Sequence, residues 1–217
     1  MPNYEYAGPK YRDREDAGKV LASRLLAYRD QDVIVLAIPN GGVPVGCVIA
    51  KELRAGLYLM IVRKLQIPYN PEAGFGAVTS DGFLLLNHPL VESLGLTEKV
   101  IQEQKEKALE SIRSRQEFFG KRAELPAMEN RTVILVDDGL ASGFTMEVAV
   151  KSVKKRGAKS IIIAIPTSSM SAHRRLESRV EKIICPDLSR LRIFAVANAY
   201  ENWYDLDENE ALGLIEE

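Results

Sequence analysis

Short, nearly continuous apolar runs alternate along the chain with longer stretches whose apolar positions recur every three or four residues. The first pattern fits strands covered on both faces, and the second fits helices that bury one face. Ala17, Val20, Leu21 and Leu25 keep helical spacing behind Asp13, a residue suited to an N-cap. The run 33-VIVLAI-38 predicts a strand that stops at Pro39-Asn40-Gly41-Gly42, and a helix over 45–53 follows it. A second strand is predicted over 57–62. The stretch 66–76, rich in Pro, Gly and Asn, reads as a loop. Asp81-Gly82, between 77–79 and 83–86, reads as a hairpin turn with both central residues at positive φ. Thr97 is positioned to cap a long helix over 97–119, with Val100, Ile101, Ala108, Leu109 and Ile112 on one face. The Lys, Glu, Gln and Arg residues of its other face read as solvated. A strand over 133–136, a helix over 145–156 closed by Gly157 and a strand over 160–165 form a βαβ unit. Such a unit implies a parallel sheet with a right-handed crossover. The expected fold is α/β, a central and mostly parallel sheet flanked by helices, with 1–217 as a single domain.

Composition narrows the picture without redirecting it. A chain of 217 residues with 46% hydrophobic and 27% charged residues can fill one well-buried core. A formal net charge of -1 provides no global field for nucleic acid or an anionic membrane. Cys47 and Cys185 sit in apolar settings without metal-ligand spacing, as buried thiols in a reducing compartment do. No apolar run approaches the roughly 20 residues of a membrane helix, and the first sixteen residues lack a signal-peptide core. The expectation is a cytoplasmic protein with neither a nucleic-acid nor a membrane partner.

The chemistry concentrates in 133-VILVDDGLASGFT-145, where an apolar strand runs into two acids and then a loop of small residues. Ligands of open α/β sheets sit beyond the carboxyl ends of the strands, where Asp137 and Asp138 stand. The loop 139–143 leads into a helix whose first N–H groups are unpaired and partly positive, a place for a phosphate. Ser142 and Thr145 add hydroxyls. Two carboxylates beside a phosphate must face something else, and vicinal sugar hydroxyls or a bridging magnesium ion both suit. Neither a Walker loop nor a GxGxxG is present. The ligand these features suggest is a ribose 5-phosphate.

The run 134-ILVDDGLASGFT-145 closely resembles the phosphoribosyl-pyrophosphate (PRPP) motif of the type I phosphoribosyltransferases. The resemblance implies that Asp137 and Asp138 hold the ribose hydroxyls, directly or through magnesium. It sets Gly139, Leu140, Ala141, Ser142, Gly143, Phe144 and Thr145 in the loop around the 5′-phosphate, Ser142 standing where the family usually has threonine. The stretch 38-IPNGGVPVG-46 resembles the family's pyrophosphate loop. There the backbone N–H groups of Pro39, Asn40, Gly41 and Gly42 would face pyrophosphate, often beside a non-proline cis peptide. Many relatives carry Arg or Lys where this chain has Asn40. Arg63 and Lys64, expected where the second strand ends, are the substitutes for that cation, and with the two aspartates they make the expected catalytic set. The segment 63-RKLQIPYNPEAGFGAV-78 resembles a bacterial and archaeal branch with an RKLG-P-NPE-type run. By the same resemblance 66–86 is a flexible loop and hairpin, Glu72 reaches the nucleophile, and about 186–217 forms a hood.

The implied reaction moves the 5-phosphoribosyl group of PRPP to a nitrogenous base, with magnesium, and releases pyrophosphate. The implied partners are PRPP, pyrophosphate and a nucleobase or nucleoside monophosphate, and the implied assembly is a homodimer. Ala141 stands where the hypoxanthine–guanine branch has a purine-contacting aspartate. Trp203 and Tyr204 are candidates for stacking on the base. A non-catalytic regulator that binds PRPP or a nucleotide is the competing expectation.

Overall fold

A computed structural model describes residues 8–68, 70–191 and 193–216, with no side-chain description at 71 and 72. Helix α1 (Arg14–Leu25) starts where expected, with the Asp13 side chain accepting from the Asp16 N–H. Strand β1 (Val33–Ala37), helix α2 (Gly42–Leu53) and strand β2 (Gly56–Leu59) follow. An antiparallel unit of β3 (Val62–Ile67), β4 (Asn70–Thr79) and β5 (Leu84–Leu86) comes next. After the short α3 (His88–Ser93) runs α4 (Glu98–Phe119), capped by Thr97 as predicted. Strand β6 (Thr132–Val136), helix α5 (Phe144–Lys155) and strand β7 (Ser160–Ala164) make the expected βαβ unit. The chain closes with β8 (Thr167–Ser169), α6 (Met170–Leu176), β9 (Lys182–Ile184), β10 (Asp187–Ser189) and α7 (Glu208–Glu216).

The central sheet is parallel throughout, in the order β2-β1-β6-β7-β9. Alternate side chains of each strand serve opposite faces. Val33, Val35, Ile134 and Val136 pack with Leu21, Ile49, Ile112 and Ile215 of α1, α2, α4 and α7. Ile34, Leu36, Val133 and Leu135 pack instead with Met146, Val150 and Leu176 of α5 and α6. Each fully buried Leu or Ile contributes about 1.5–3 kcal/mol by leaving water, so the near-continuous apolar runs are what two covered faces require.

The chain leaves β1 toward β2 on one side and leaves β6 toward β7 on the other. The order in which the strands are added therefore reverses between β1 and β6, and a crevice opens at their carboxyl ends.

Four expectations are corrected. The stretch 57–62 is not one strand: β2 ends at Leu59, and β3 starts at Val62 in a different sheet. Arg63 and Lys64 thus lie in β3, facing Val78 and Ala77 of β4, and not at the end of the second strand. The stretch 66–76 is mostly strand. Its glycines are there for close approach: a Cβ on Gly76 would come within 2.9 Å of the Leu85 carbonyl oxygen. The turn after β4 is a three-residue one, with the Gly82 N–H donating to Thr79 O (2.8 Å) and the Thr79 N–H to Phe83 O (3.0 Å). Of Asp81 and Gly82 only Gly82 takes positive φ, as in a type I turn closed by a left-handed residue.

Candidate functional site

Two loops flank the crevice. The first follows β1, where the Pro39–Asn40 peptide is cis. It winds directly into α2, because the Gly42 N–H donates to Ile38 O (3.0 Å) and the Val43 N–H to Asn40 O (3.0 Å). Of its four expected backbone donors, Pro39 has no N–H and that of Gly42 is already used, which leaves Asn40 and Gly41. The loop lies against the acid pair after β6. A Cβ on Gly41 would fall 2.0 Å from Asp138 Oδ2, and one on Gly42 2.8 Å from Val136 O. Only glycine lets the two loops come this close.

Asn40 is held at both ends of its amide. Its Nδ2 donates to Leu206 O (2.9 Å), and its Oδ1 accepts from an Arg115 Nη (2.9 Å). Arg115 is buried on α4 and also pairs with Glu208 (2.5 Å) at the start of α7. Arg115 thus sits in the buried stripe of α4 with Ile101, Ala108, Ile112 and Phe119, while the opposite, charged face is exposed as expected.

The two acids have different surroundings. Asp138 Oδ2 accepts from Arg14 Nε at 2.9 Å, and the two side chains are only 13% and 7% exposed. The same guanidinium donates to Tyr204 O (3.0 Å) and lies 4.1 Å from the centre of the Trp203 ring. Tyr200 Oη donates to the Asp138 carbonyl (2.6 Å). Burial raises the Asp138 carboxyl, and Arg14 draws it back. Asp137 has no such cation at contact distance among the described residues; its Oδ1 accepts the Asp138 N–H, at 2.9 Å. Burial first, and the adjacent Asp138 second, push its carboxyl well above the usual range.

Within 139–145 the chain divides its labour. Gly139 is packed under Val196, and Leu140 is buried with both backbone groups used. Its N–H donates to Thr167 O (3.0 Å), and its carbonyl accepts from the Ser169 N–H (2.9 Å). Leu140 thus anchors the loop and has no backbone group left for a phosphate, contrary to expectation. Ala141 and Ser142 are exposed, and the Ser169 hydroxyl holds the Ala141 carbonyl at 2.6 Å. Gly143 turns the chain at φ +70° into α5, and the Phe144 N–H bonds Ser142 Oγ (3.3 Å). Thr145 opens onto a cleft of about 540 Å³, together with Arg63, Lys64, Gln104, Lys107 and Ser111. Among the described residues its lining carries three cations and no acid. Arg63 Nε donates to Ser111 Oγ (3.0 Å), and burial and the neighbouring Arg115 together lower its affinity for its proton.

Trp203 and Tyr204, expected to stack on the base, touch the site through Arg14, which covers one face of the indole and donates to the Tyr204 carbonyl. Trp203 belongs instead to a small cluster with Tyr11, Ala17, Ala199 and Tyr200. The Glu72 side chain lies outside the described residues. Among the described residues no group of three or more His, Cys, Asp or Glu side chains converges on a metal position. No helix there is long and apolar enough to cross a membrane. Sequence reasoning missed Arg14 and Arg115. Both are single charges on amphipathic helices, and only the fold brings them to the loops.

A model of the phosphoribosyl transferase domain matches residues 11–189. Proteins from two strains of Mycobacterium tuberculosis, provisionally named phosphoribosyl transferases, are each 32% identical over 206 residues, or 95% of this chain and 46% of theirs. The chain therefore spans about half the length of these relatives. The crystal structure of TT1426 from Thermus thermophilus aligns with a TM-score of 0.79 at 29% identity, covering 95% of this chain and 97% of that one.

Proposed function

Because the chain belongs to the phosphoribosyl transferase domain family, we propose that it transfers the 5-phosphoribosyl group of PRPP to a nitrogenous base and releases pyrophosphate. The observation that carries this reading is the crevice itself. An acid pair and a small-residue loop opening a helix stand where the strand order reverses, and Thr145 in the first turn of that helix also lines the acid-free cationic cleft. An acid pair suits sugar hydroxyls, a helix N-terminus suits a phosphate, and a cationic cleft suits a leaving pyrophosphate.

The displacement passes through an oxocarbenium-like sugar, so the protein's work is to hold, neutralise and exclude water. Asp137 takes the ribose hydroxyls. Asp138, fixed by Arg14, holds Gly41 and the first loop in register with the second. Ala141, Ser142, Gly143, Phe144 and Thr145 surround the 5′-phosphate. Arg63, Lys64 and Lys107 face the pyrophosphate. The donor set fits magnesium in one respect: Asp137 is a half-buried carboxyl without a cation at contact distance among the described residues, and this ion is usually held by one or two carboxylates plus substrate oxygens. When bound, magnesium would offset charge on the departing pyrophosphate. A homodimer in the cytoplasm completes the proposal. Sedimentation at micromolar concentration tests the dimer.

Calorimetry with PRPP, with and without magnesium, followed by an assay of pyrophosphate release over a panel of bases, tests the reading. PRPP should bind, magnesium should strengthen binding, and one class of base should trigger turnover. Binding without turnover on any base would favour the regulator, and no PRPP binding in magnesium would overturn both.

A further inference from the structure

We propose that Arg115 is a positioning residue for pyrophosphate recognition, acting through Asn40 to fix the loop after β1 and supplying the positive charge that this loop lacks. The proposal rests on the phosphoribosyl-transfer reading and adds to it a residue from a helix outside both loops.

The loop 38–42 brings no charged side chain of its own. Its one long polar side chain, Asn40, does not project freely; both ends of its amide are occupied, by Leu206 O and by Arg115. With donor and acceptor ends satisfied by different elements, the amide cannot reverse without losing both bonds. The loop is therefore held by α4 on one side and by the segment before α7 on the other.

The group chosen for this task matters. Arg115 is 7% exposed, and a guanidinium keeps its charge under all ordinary conditions. Removing such a charge from water is costly, and a neutral side chain could make the same bond to Asn40. Glu208 pairs with it at the start of α7. One turn earlier on α4, Ser111 accepts from Arg63 of the cleft lining, so Arg115 stands beside the cationic cleft. The position on the sequence explains the spacing. Gln104, Lys107, Ser111 and Arg115 recur at three or four residues, so one face of α4 lines the cleft and ends at Asn40.

The test compares two ligands that share the crevice, inorganic pyrophosphate with magnesium and ribose 5-phosphate. In Arg115→Gln, pyrophosphate should bind at least about tenfold more weakly, as loss of a charge-assisted contact implies. Ribose 5-phosphate should stay within about twofold. Arg115→Lys keeps the charge and should recover a clear part of the pyrophosphate affinity. Asn40→Leu keeps Arg115 and Glu208 together but cuts the link to the loop, and it should show the same selective loss. If Arg115→Gln does not fold, Asn40→Leu decides alone. Wild-type pyrophosphate affinity in Asn40→Leu, or an equal fall for both ligands in the folded variants, overturns the proposal and leaves the family reading intact. A wild-type protein that binds neither PRPP nor pyrophosphate overturns the reading and the proposal together.

Discussion

The loops after β1 and β6 reach the same crevice by different means. The loop after β6 brings its own chemistry in consecutive residues: two acids, small residues, a hydroxyl and a helix start. The loop after β1 brings almost none, and takes its fixed geometry from Arg115, Leu206 and, through Asp138, Arg14. A site assembled from both kinds divides responsibility. Residues of the β6 loop that face ligand should govern affinity directly, whereas residues that serve the β1 loop, Asp138 among them, should act through its order, on the fold and on pyrophosphate binding.

The adjacent aspartates test this division most severely. Asp138→Asn leaves a buried Arg14 without its counter-charge, at a cost of about 3–5 kcal/mol. For a chain of this size that lowers the thermal midpoint by roughly 6–20 °C. Asp137→Asn removes no ion pair at contact distance, so its midpoint without ligand should hold or rise. Its PRPP binding should weaken by roughly 10- to 150-fold, the loss of one charge-assisted interaction of about 1.5–3 kcal/mol. Equal midpoints for the two variants, measured by calorimetric scanning, would erase the distinction between the acids.

Gly41→Ala probes the seam between the loops. The added methyl must displace the Asp138 carboxylate or the loop, for about 1–3 kcal/mol of overpacking. Both midpoint and PRPP affinity should fall together. A neutral result in both would mean that the loops are not in contact in solution.

The smallest effect is on pH. Asp137 holds its proton more tightly folded than unfolded. Its contribution to stability is therefore fully present below the ordinary carboxylate range and is lost as pH rises through its elevated pKa. Without ligand, the midpoint of Asp137→Asn minus that of the wild type should grow as pH rises across that window. PRPP with magnesium needs the ionised acid, so wild-type affinity should rise over the same window. A flat difference in midpoint would mean that Asp137 holds its proton no more tightly folded than unfolded.

Much of the architecture was legible because its causes are local. The apolar runs at β1, β6 and β7, the Asp13 and Thr97 caps and the acid pair each announce themselves within a few residues. What was not legible is pairwise and distant. Arg14 and Asp138 are 124 residues apart, and Asn40 and Arg115 are 75 apart. Arg14 and Arg115 each look on their own like an ordinary surface residue. The stretch 66–76 misled for another reason: glycine and proline mark turns only when nothing else demands a missing side chain. In β4 neighbouring strands demand it at Gly74 and Gly76. The small strands β8, β9 and β10 are too short to show any periodicity.

The turn between β4 and β5 is fastened to the body of the protein. Asp81 accepts from Thr79 Oγ1 (2.5 Å) and from Ser152 Oγ on α5 (2.8 Å), with Arg156 3.6 Å away. Burial works against its charge, yet these donors outweigh it and hold the carboxyl below its usual range. At the opposite end of the ribbon the pairing slips twice, between Leu65 and Gln66 and between Gln66 and Ile67. Next to those slips, Leu65 and Phe75 are fully buried in the main core, so the ribbon is tied down there as well as at the turn. Arg63 and Lys64, just inside that second tie, therefore reach the cleft from a strand whose place is fixed at both ends.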